Sequence, residues 1–362
     1  MQAADILRLF MLLPAPAGYE KEVAYQLRAE FCRCCDQVTI DPVGNVMACF
    51  PGKDPDIPVT MVYAHMDQLG FVVRFIEPTG YLRLERLGGI PEKVLPGLRI
   101  QIRTGDGAWV PGIMGSKSHH ATPAEEKYKA DPIDGLFVDI GARSAEEVRT
   151  LGIRVGSPAI YEPACRDLAN GRVCGTAVDN RGGLTALVLL AEQLKSDPPE
   201  GTVWLVGTVW EEFNLRGAML AARAIKPAIA IALDVVLSGD TPDLQGRYAT
   251  AVGQGPAMML YNFHGRGTLN GTIPHPGLTE LAEQAAEQEK INLQRFAGVG
   301  ILTDSAYVQL EGSGIAALEL GFPARYTHTP TEVCDPDDIK QLACLLRRLL
   351  RNLDGMFDSH RY

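Results

Sequence analysis

Apolar positions recur along the chain with two different periods, and the change of period divides it into three stretches. Residues 3 to 12 and 19 to 35 carry helical spacing, with Leu7, Phe10 and Met11 on one face of the first segment and Val23, Leu27 and Phe31 on one face of the second. The PAPAG sequence at 14 to 18 predicts a turn between them. Val38 to Ile40 and Val46 to Phe50 read as a hairpin, and the uncharged run Val59 to Ala64 predicts a buried strand that ends at His65-Met66-Asp67. From about 71 to 163 the pattern becomes short β-rich runs broken by Gly and Pro: Phe71 to Phe75, Tyr81 to Arg86, Arg99 to Arg103, Leu136 to Ile140 and Pro158 to Tyr161. Within it, Ser144 to Leu151 predicts a helix with Ser144 as N-cap, and the polar stretch Ser116 to Asp131, which holds His119 and His120, predicts a loop. Strands of this length and spacing suggest a small barrel or sandwich.

After Cys165 the helical and extended periods alternate again. Helices are expected from about Gly182 to Leu194, Arg216 to Ala224 and Thr279 to Glu289, and a last one opens at Asp335-Pro336 with an N-cap and Pro in its first turn. Strands are expected at Thr202 to Trp210, Ile229 to Leu233 and Ala316 to Leu320. The pattern predicts an α/β catalytic domain, a mixed sheet flanked by helices, built from residues 1–70 and 164–362 and interrupted by an inserted small β-barrel-like domain at 71–163.

Composition narrows the function classes. Of 362 residues, 46% are hydrophobic and 22% charged, as in an ordinary globular protein. The formal net charge of -10 argues against nucleic acid or an anionic membrane as partner, since both reward a basic face. No basic leader or cleavage site precedes the first helix, no run approaches the length of a membrane span, and eight scattered cysteines suit reduced thiols, so a cytoplasmic location is expected. The Cys32, Cys34, Cys35 cluster lacks a second pair at zinc-finger spacing. His264, His275 and His360 stand in polar, irregular surroundings and are expected at the surface.

The candidate chemistry lies at the ends of the predicted strands. His65 and Asp67 follow the first, Asp179 stands ahead of a helix in CGTAVDNRGG, Glu211 and Glu212 end GTVW, and Asp234 ends the run from Ile229. Ligands of open α/β sheets bind at the carboxyl ends of the strands, so these segments could converge on one pocket. Each has a plain structural reading as well: a capping pair for Glu211 and Glu212, a capped helix start for Asp179. A dry crevice of carboxylates and imidazoles is unfavourable unless cations neutralise it, and two divalent metals would do so. Asp67, two residues from His65, could accept its second ring N–H or support a reacting water. His328 lies in a loop between Pro323 and Pro330, which constrains its side chain.

Five stretches, AHMDQLGF (64–71), TAVDNRGG (176–183), VWEEFNLRGA (209–218), ALD (232–234) and RYTHTPTEV (325–333), resemble in that order the motifs of the tetrahedral-assembly metallo-aminopeptidases, a group that includes glutamyl and deblocking aminopeptidases. The likeness spans nearly the whole chain. It implies hydrolysis of the N-terminal bond of short peptides by a water bridging two divalent metals, zinc or cobalt, with manganese also compatible. Asp179 would bridge the ions, His65 and Asp234 would complete one, and Glu212 and His328 the other. Glu211 would be the general base and Asp67 would support His65. The insertion would be a dimerisation domain, with dimers assembling into a dodecamer.

Two positions depart from the family pattern. Gln68 stands where many members carry Glu, and Phe213-Asn214 where Val-Gly is common, which predicts a bulkier and more polar wall beside the base. The stretch Gly298 to Ser305 and the loop after Asp234 are expected to contribute to substrate binding, and no basic residue presents itself for an acidic side chain. Two alternatives remain at this stage: another two-metal amide hydrolase of deacylase or carboxypeptidase type on the same scaffold, or a catalytically idle assembly protein. A glycosidase needs two acids and no imidazole ligands, so His65 and His328 count against it.

Overall fold

The structure, a computed structural model, describes residues 2–263 and 271–361; the expectation for His264 lies outside them. A twelve-stranded mixed sheet forms the larger body, and strands between Gly70 and Tyr161 close into a separate six-stranded barrel. The centre of the sheet is parallel: Val203–Thr208, Thr60–His65, Ile229–Leu237 and Ala316–Arg325 lie side by side. Antiparallel strands extend both flanks, Val46–Phe50 with its hairpin partner Val38–Ile40 on one side and Glu332–Cys334, Val173–Gly175 and Cys165–Asp167 on the other. The fold is thus mixed α/β with a small β-barrel.

Period-two alternation explains how both faces are covered. Val62, Ala64, Ile231, Leu233 and Leu318 pack into one core with the helices Ala3–Met11, Lys21–Cys32, Val178–Ser196, Pro276–Glu289 and Pro336–Asn352. Met61, Tyr63, Val206, Ala230 and Ala232 face the other way, against Gly217–Ile225 and Ser305–Val308. His65 and Asp234 continue this second set at the carboxyl edge. Two residues before them, Ala232 pairs with Tyr63, while Thr208 pairs directly with His65. The helix Val178–Ser196 approaches the sheet closely because Gly182 and Gly183 leave room: a Cβ on Gly182 would stand 2.1 Å from the Phe322 ring.

Several expected elements are shorter or displaced, for identifiable reasons. The run expected to reach Trp210 stops as a strand at Thr208, because Trp210 takes a positive φ of 61° and starts a turn. Leu136 to Ile140 contributes only Val138–Asp139 to the barrel. The strand Trp109–Met114 escaped the pattern because Pro111 interrupts it. Pro111 is tolerated beside Gln101, where the strand is paired on one side and its second neighbour reaches only Ile113 and Met114. Ser144 does cap its helix, accepting the Glu147 N–H at 3.2 Å. His275 is buried rather than surface-exposed: it precedes the helix Pro276–Glu289, meets the Phe357 ring, and reaches the His360 carbonyl at 3.2 Å. No helix among the described residues is long and apolar enough to cross a membrane.

One buried cation ties the first helix, the central strand and the Val178–Ser196 helix together. The Arg181 guanidinium is fully buried and donates to the carbonyls of Phe10 at 3.1 Å, Leu13 at 3.2 Å and Met66, and to Gln68 Oε1 at 3.2 Å. Burial lowers its pKa to about 10, opposed by Asp67, Glu20 and Asp179. Gln68, the departure from the family pattern, therefore does a structural job: its Oε1 accepts from Arg181 and from the Ala15 N–H at 3.0 Å. Removing one member of a buried charged network leaves the others unpaired, at about 3–5 kcal/mol. Arg181→Met is expected to lower the unfolding free energy, read from chemical denaturation, by that amount, and an unchanged free energy would show the guanidinium dispensable.

Candidate active site

Each sequence-predicted residue reaches the carboxyl edge of the parallel strands by a short local path. His65 is the last residue of Thr60–His65, Asp234 lies within Ile229–Leu237, and His328 sits in the turn after Ala316–Arg325. Asp179 lies in the irregular entry to the Val178–Ser196 helix, before regular helical geometry begins. Glu211 and Glu212 lie on a turn after Thr208 in which Trp210, Asn214 and Leu215 all have positive φ. Asn45 holds that turn from below, accepting the Val209 N–H at 3.0 Å and donating to the Gly217 carbonyl at 3.0 Å.

Six of the seven predicted side chains line one crevice, and the seventh, Asp67, lies buried against His65. His65 Nε2 lies 3.1 Å from Asp179 Oδ1, 3.8 Å from Glu211 Oε2 and 3.9 Å from Asp234 Oδ1. His328 Nε2 lies 3.5 Å from Asp179 Oδ2. The Nδ1–H of His328 donates to the Gly89 carbonyl at 2.9 Å, which leaves Nε2 turned toward Asp179. His65 Nδ1 stands 3.1 Å from the backbone carbonyl of Asp67 and 3.6 Å from its carboxylate. That carboxylate is engaged elsewhere, accepting the N–H groups of Glu211 and Glu212 at 3.0 Å each. Asp67 thus pins the turn that presents both glutamates.

Four supporting groups were not recognisable from the sequence. Glu332, buried in its short strand, accepts the Asp179 N–H at 3.0 Å and the His328 N–H at 2.7 Å. Gly89 comes from the loop that follows the barrel strand Leu82–Leu87, and a Cβ there would crowd His328 Nδ1 at 3.2 Å. Asp304, also buried, accepts the Thr208 hydroxyl at 3.1 Å. Asn45 is the fourth. Only the presence of Glu332 four residues after His328 offered a signal, and nothing in the local sequence of the other three indicates the site.

Electrostatics describe a site short of positive charge. Burial drives the Glu211 carboxyl well above the ordinary carboxylate range, against the pull of His65. Burial also lifts Glu212 to about 7, and raises Asp234 well up with help from Asp179. Burial disfavours ionised Asp179 too, but the hydrogen-bonding imidazoles of His328 and His65 outweigh it and hold its pKa below the usual value. For those imidazoles burial opposes protonation. Asp179 and Glu212 nevertheless push His328 up to about 10, and Glu211, Asp179 and Asp67 raise His65 well above its ordinary value.

This donor set fits a pair of divalent cations. Potential ligand atoms fall within 4.8 Å of one another in three overlapping groups: His65, Asp179 and Asp234; Asp179, Glu212 and His328; and His65, Glu211 and Glu212. The first two share Asp179, whose two oxygens face different imidazoles. Glu212 Oε1 is buried with no hydrogen-bond partner among the described residues. Oxygen and imidazole donors of this kind suit hard and borderline divalent ions.

The cleft around these residues has a volume of about 460 Å³. Its walls include Gly300, Ile301, Leu302 and Thr303 and, after Asp234, Val235 and Leu237, the two stretches expected to contribute to substrate binding. Asn214 lines it, but Phe213 does not: that ring is exposed and covered by the Arg216 guanidinium at 5.1 Å. The expected bulky wall beside Glu211 is therefore absent, because the left-handed turn at Asn214 and Leu215 brings Asn214, not Phe213, to the cleft.

The M42 glutamyl aminopeptidase family model matches residues 44–345. The protein SgcX of Escherichia coli (strain K12) is 40% identical over 355 residues, which is 97% of this chain and 94% of that one. An aminopeptidase from the archaeon Desulfurococcus kamchatkensis superposes with a TM-score of 0.91 at 32% identity, covering 98% of this chain and 95% of the other. The TET1 peptidase of Pyrococcus horikoshii, which can assemble into a tetrahedron or a large octahedral shell, superposes with a TM-score of 0.84 at 25% identity, covering 97% and 100%.

Glu332 holds the backbones of both Asp179 and His328, so its removal tests how the site is built. Glu332→Ala leaves a buried N–H on Asp179 and a part-buried one on His328 without their acceptor, at about 1–3 kcal/mol for the buried one, whereas Glu332→Gln keeps an acceptor oxygen. Thermal unfolding is expected to show a clear loss for the alanine variant and a smaller one for glutamine; equal losses would contradict the acceptor role.

Proposed function

The chain belongs to the M42 glutamyl aminopeptidase family, and from that membership we propose that it is a two-metal aminopeptidase that removes the N-terminal residue of short peptides, with Glu211 as general base. The observation that carries this reading is the sharing of Asp179 between two ligand groups, with Glu211 outside both and grouped instead with His65 and Glu212. Two divalent cations, one held by His65, Asp179 and Asp234 and the other by Asp179, Glu212 and His328, would neutralise the crevice, acidify a water and polarise the scissile carbonyl. Zinc or cobalt is the expected identity, with manganese also compatible.

The remaining chemistry belongs to the chain itself. Glu211 takes a proton from the attacking water and returns it to the nitrogen of the leaving amine, so that neither hydroxide nor amide anion has to be expelled. Its burial suits the task, since a desolvated carboxylate gains basicity. Asp67 fixes the orientation of Glu211 through its bonds to the turn backbone. Glu212, the adjacent acid, belongs to the ligand group with Asp179 and His328, and its Oε1 is buried with no hydrogen-bond partner among the described residues. Consecutive glutamates therefore carry different duties: one binds, the other moves the proton.

The assembly expected from the resemblance, dimers joined into a dodecamer, is also part of this proposal. The likeness to the shell-forming TET1 peptidase supports it. So does the barrel, whose outer surface exposes Phe75 and Ile113 at 52% and 56%, apolar area suited to a second copy.

Glu211→Gln is expected to lower kcat by about 10²–10⁴-fold while metal content, read by elemental analysis, stays near two ions per chain; full turnover in that variant would remove Glu211 from the mechanism. Chelator is expected to abolish activity and added divalent metal to restore it. In light scattering the purified protein is expected at the mass of twelve chains, and a monomer at working concentration would overturn the assembly.

A further inference from the structure

The cleft has a division of charge that bears on which peptides it accepts. Its charged lining residues are His65, Asp179, Glu211, Glu212, Asp234 and His328, all already assigned to cation binding or proton transfer. Among the described residues every other lining residue is uncharged, and the apolar part of the lining is formed by Leu215, Val235, Leu237, Ile301 and Leu302. Leu215 and Val235 are buried, so this wall is anchored in the core rather than draped on the surface.

Among the described residues, the charged groups that flank that wall do not line the cleft. Arg325, at the end of the strand that pairs Ala324 with Leu237, donates through Nε to Asp240 Oδ1 at 2.7 Å, and its terminal nitrogen reaches Asp240 Oδ2 as well. Asp304 follows Thr303 directly, but it is buried behind the cleft and holds the Thr208 hydroxyl instead of lining the cavity. The Arg216 guanidinium lies over Phe213, outside the cleft. A glutamate side chain entering the apolar wall would lose water without gaining a cation, and a lysine side chain would lose water without gaining a carboxylate. An aliphatic side chain would lose nothing and bury its area against leucine, valine and isoleucine. Asn214, at the cleft with a positive φ of 71°, adds a neutral carboxamide.

Resting on the aminopeptidase reading above, we propose that this site selects peptides with an uncharged aliphatic N-terminal residue, of the leucine or methionine class, over those beginning with glutamate or lysine, because the wall formed by Leu215, Val235, Leu237, Ile301 and Leu302 offers no counter-charge. Ile301 is the specificity-determining position where a counter-charge would be most readily supplied, since it is partly exposed within the lining, at the edge of the cluster that contains Phe296.

The test uses the assembled, metal-loaded protein with leucyl, methionyl, glutamyl and lysyl p-nitroanilides. The expected result is a kcat/KM for leucine or methionine at least about ten-fold above both charged substrates, the scale on which a hydrophobic pocket discriminates. Glutamate or lysine equal to or ahead of leucine overturns the selectivity while leaving the aminopeptidase reading intact; hydrolysis of none of the four overturns both. In Ile301→Lys the ratio of glutamyl to leucyl kcat/KM is expected to rise by about ten-fold, and a ratio unchanged in folded, active protein would overturn the placement of Ile301 on the side-chain wall.

Discussion

The carboxylate of Asp179, held between the imidazoles of His65 at 3.1 Å and His328 at 3.5 Å, is the contact on which the site depends. Bringing it there is unfavourable in isolation, because Glu211, Glu212 and Asp234 crowd the same dry crevice and each is disfavoured as an anion by burial. The surrounding structure holds the groups together against that repulsion. Asn180 donates to the Leu233 carbonyl at 2.7 Å, locking the Asp179 segment to the strand that carries Asp234. Glu332 grips the Asp179 and His328 backbones at once. Such preorganisation spares the site from rearranging when charge develops in a reaction.

The two bodies of the fold make unequal contributions to this arrangement. Parallel strands bring His65, Asp234 and the segments before Glu211 and His328 to one edge, which accounts for most of the clustered side chains. The barrel supplies none of them, yet the loop after its Leu82–Leu87 strand reaches the crevice, where Gly89 sets the orientation of His328. Tyr161, the last residue of the barrel, donates its hydroxyl to the His328 carbonyl at 3.3 Å. The barrel is therefore a wall of the site as well as an exposed surface.

Departures from the family pattern separate into structural and cleft-facing ones once their neighbours are known. Gln68 serves as an acceptor for the buried Arg181 and for the Ala15 amide, a role its neutral side chain performs without adding to the carboxylates already near that cation. Phe213 packs under Arg216 outside the cleft, and Asn214 faces it. The consequence is a cleft whose charge, among the described residues, is concentrated in the carboxylates and imidazoles around Asp179 and whose remaining lining is uncharged.

Local sequence by itself determined the order of elements, the buried parallel strands, the helix caps at Ser144 and Asp335, and the carboxylates and imidazoles at the strand ends, because these follow from periodicity and from side-chain chemistry within a few residues. The barrel strand Trp109–Met114 was hidden by Pro111, since whether a proline fits depends on which side of the strand has a neighbour. His275 was misplaced for a related reason: its burial is produced by Phe357 and the chain near His360, more than eighty positions away. The supporting groups of the site, Asn45, Gly89, Asp304 and Glu332, belong to the same class. Each acts on a partner that is distant in the chain or belongs to another element, and their hydrogen bonds exist only once the sheet register, the barrel loop and the helix entry have been brought to one edge. Tertiary structure alone decided that Asp67 holds the glutamate backbone and that Phe213 leaves the cleft, because both depend on where a backbone turn points rather than on which residues compose it.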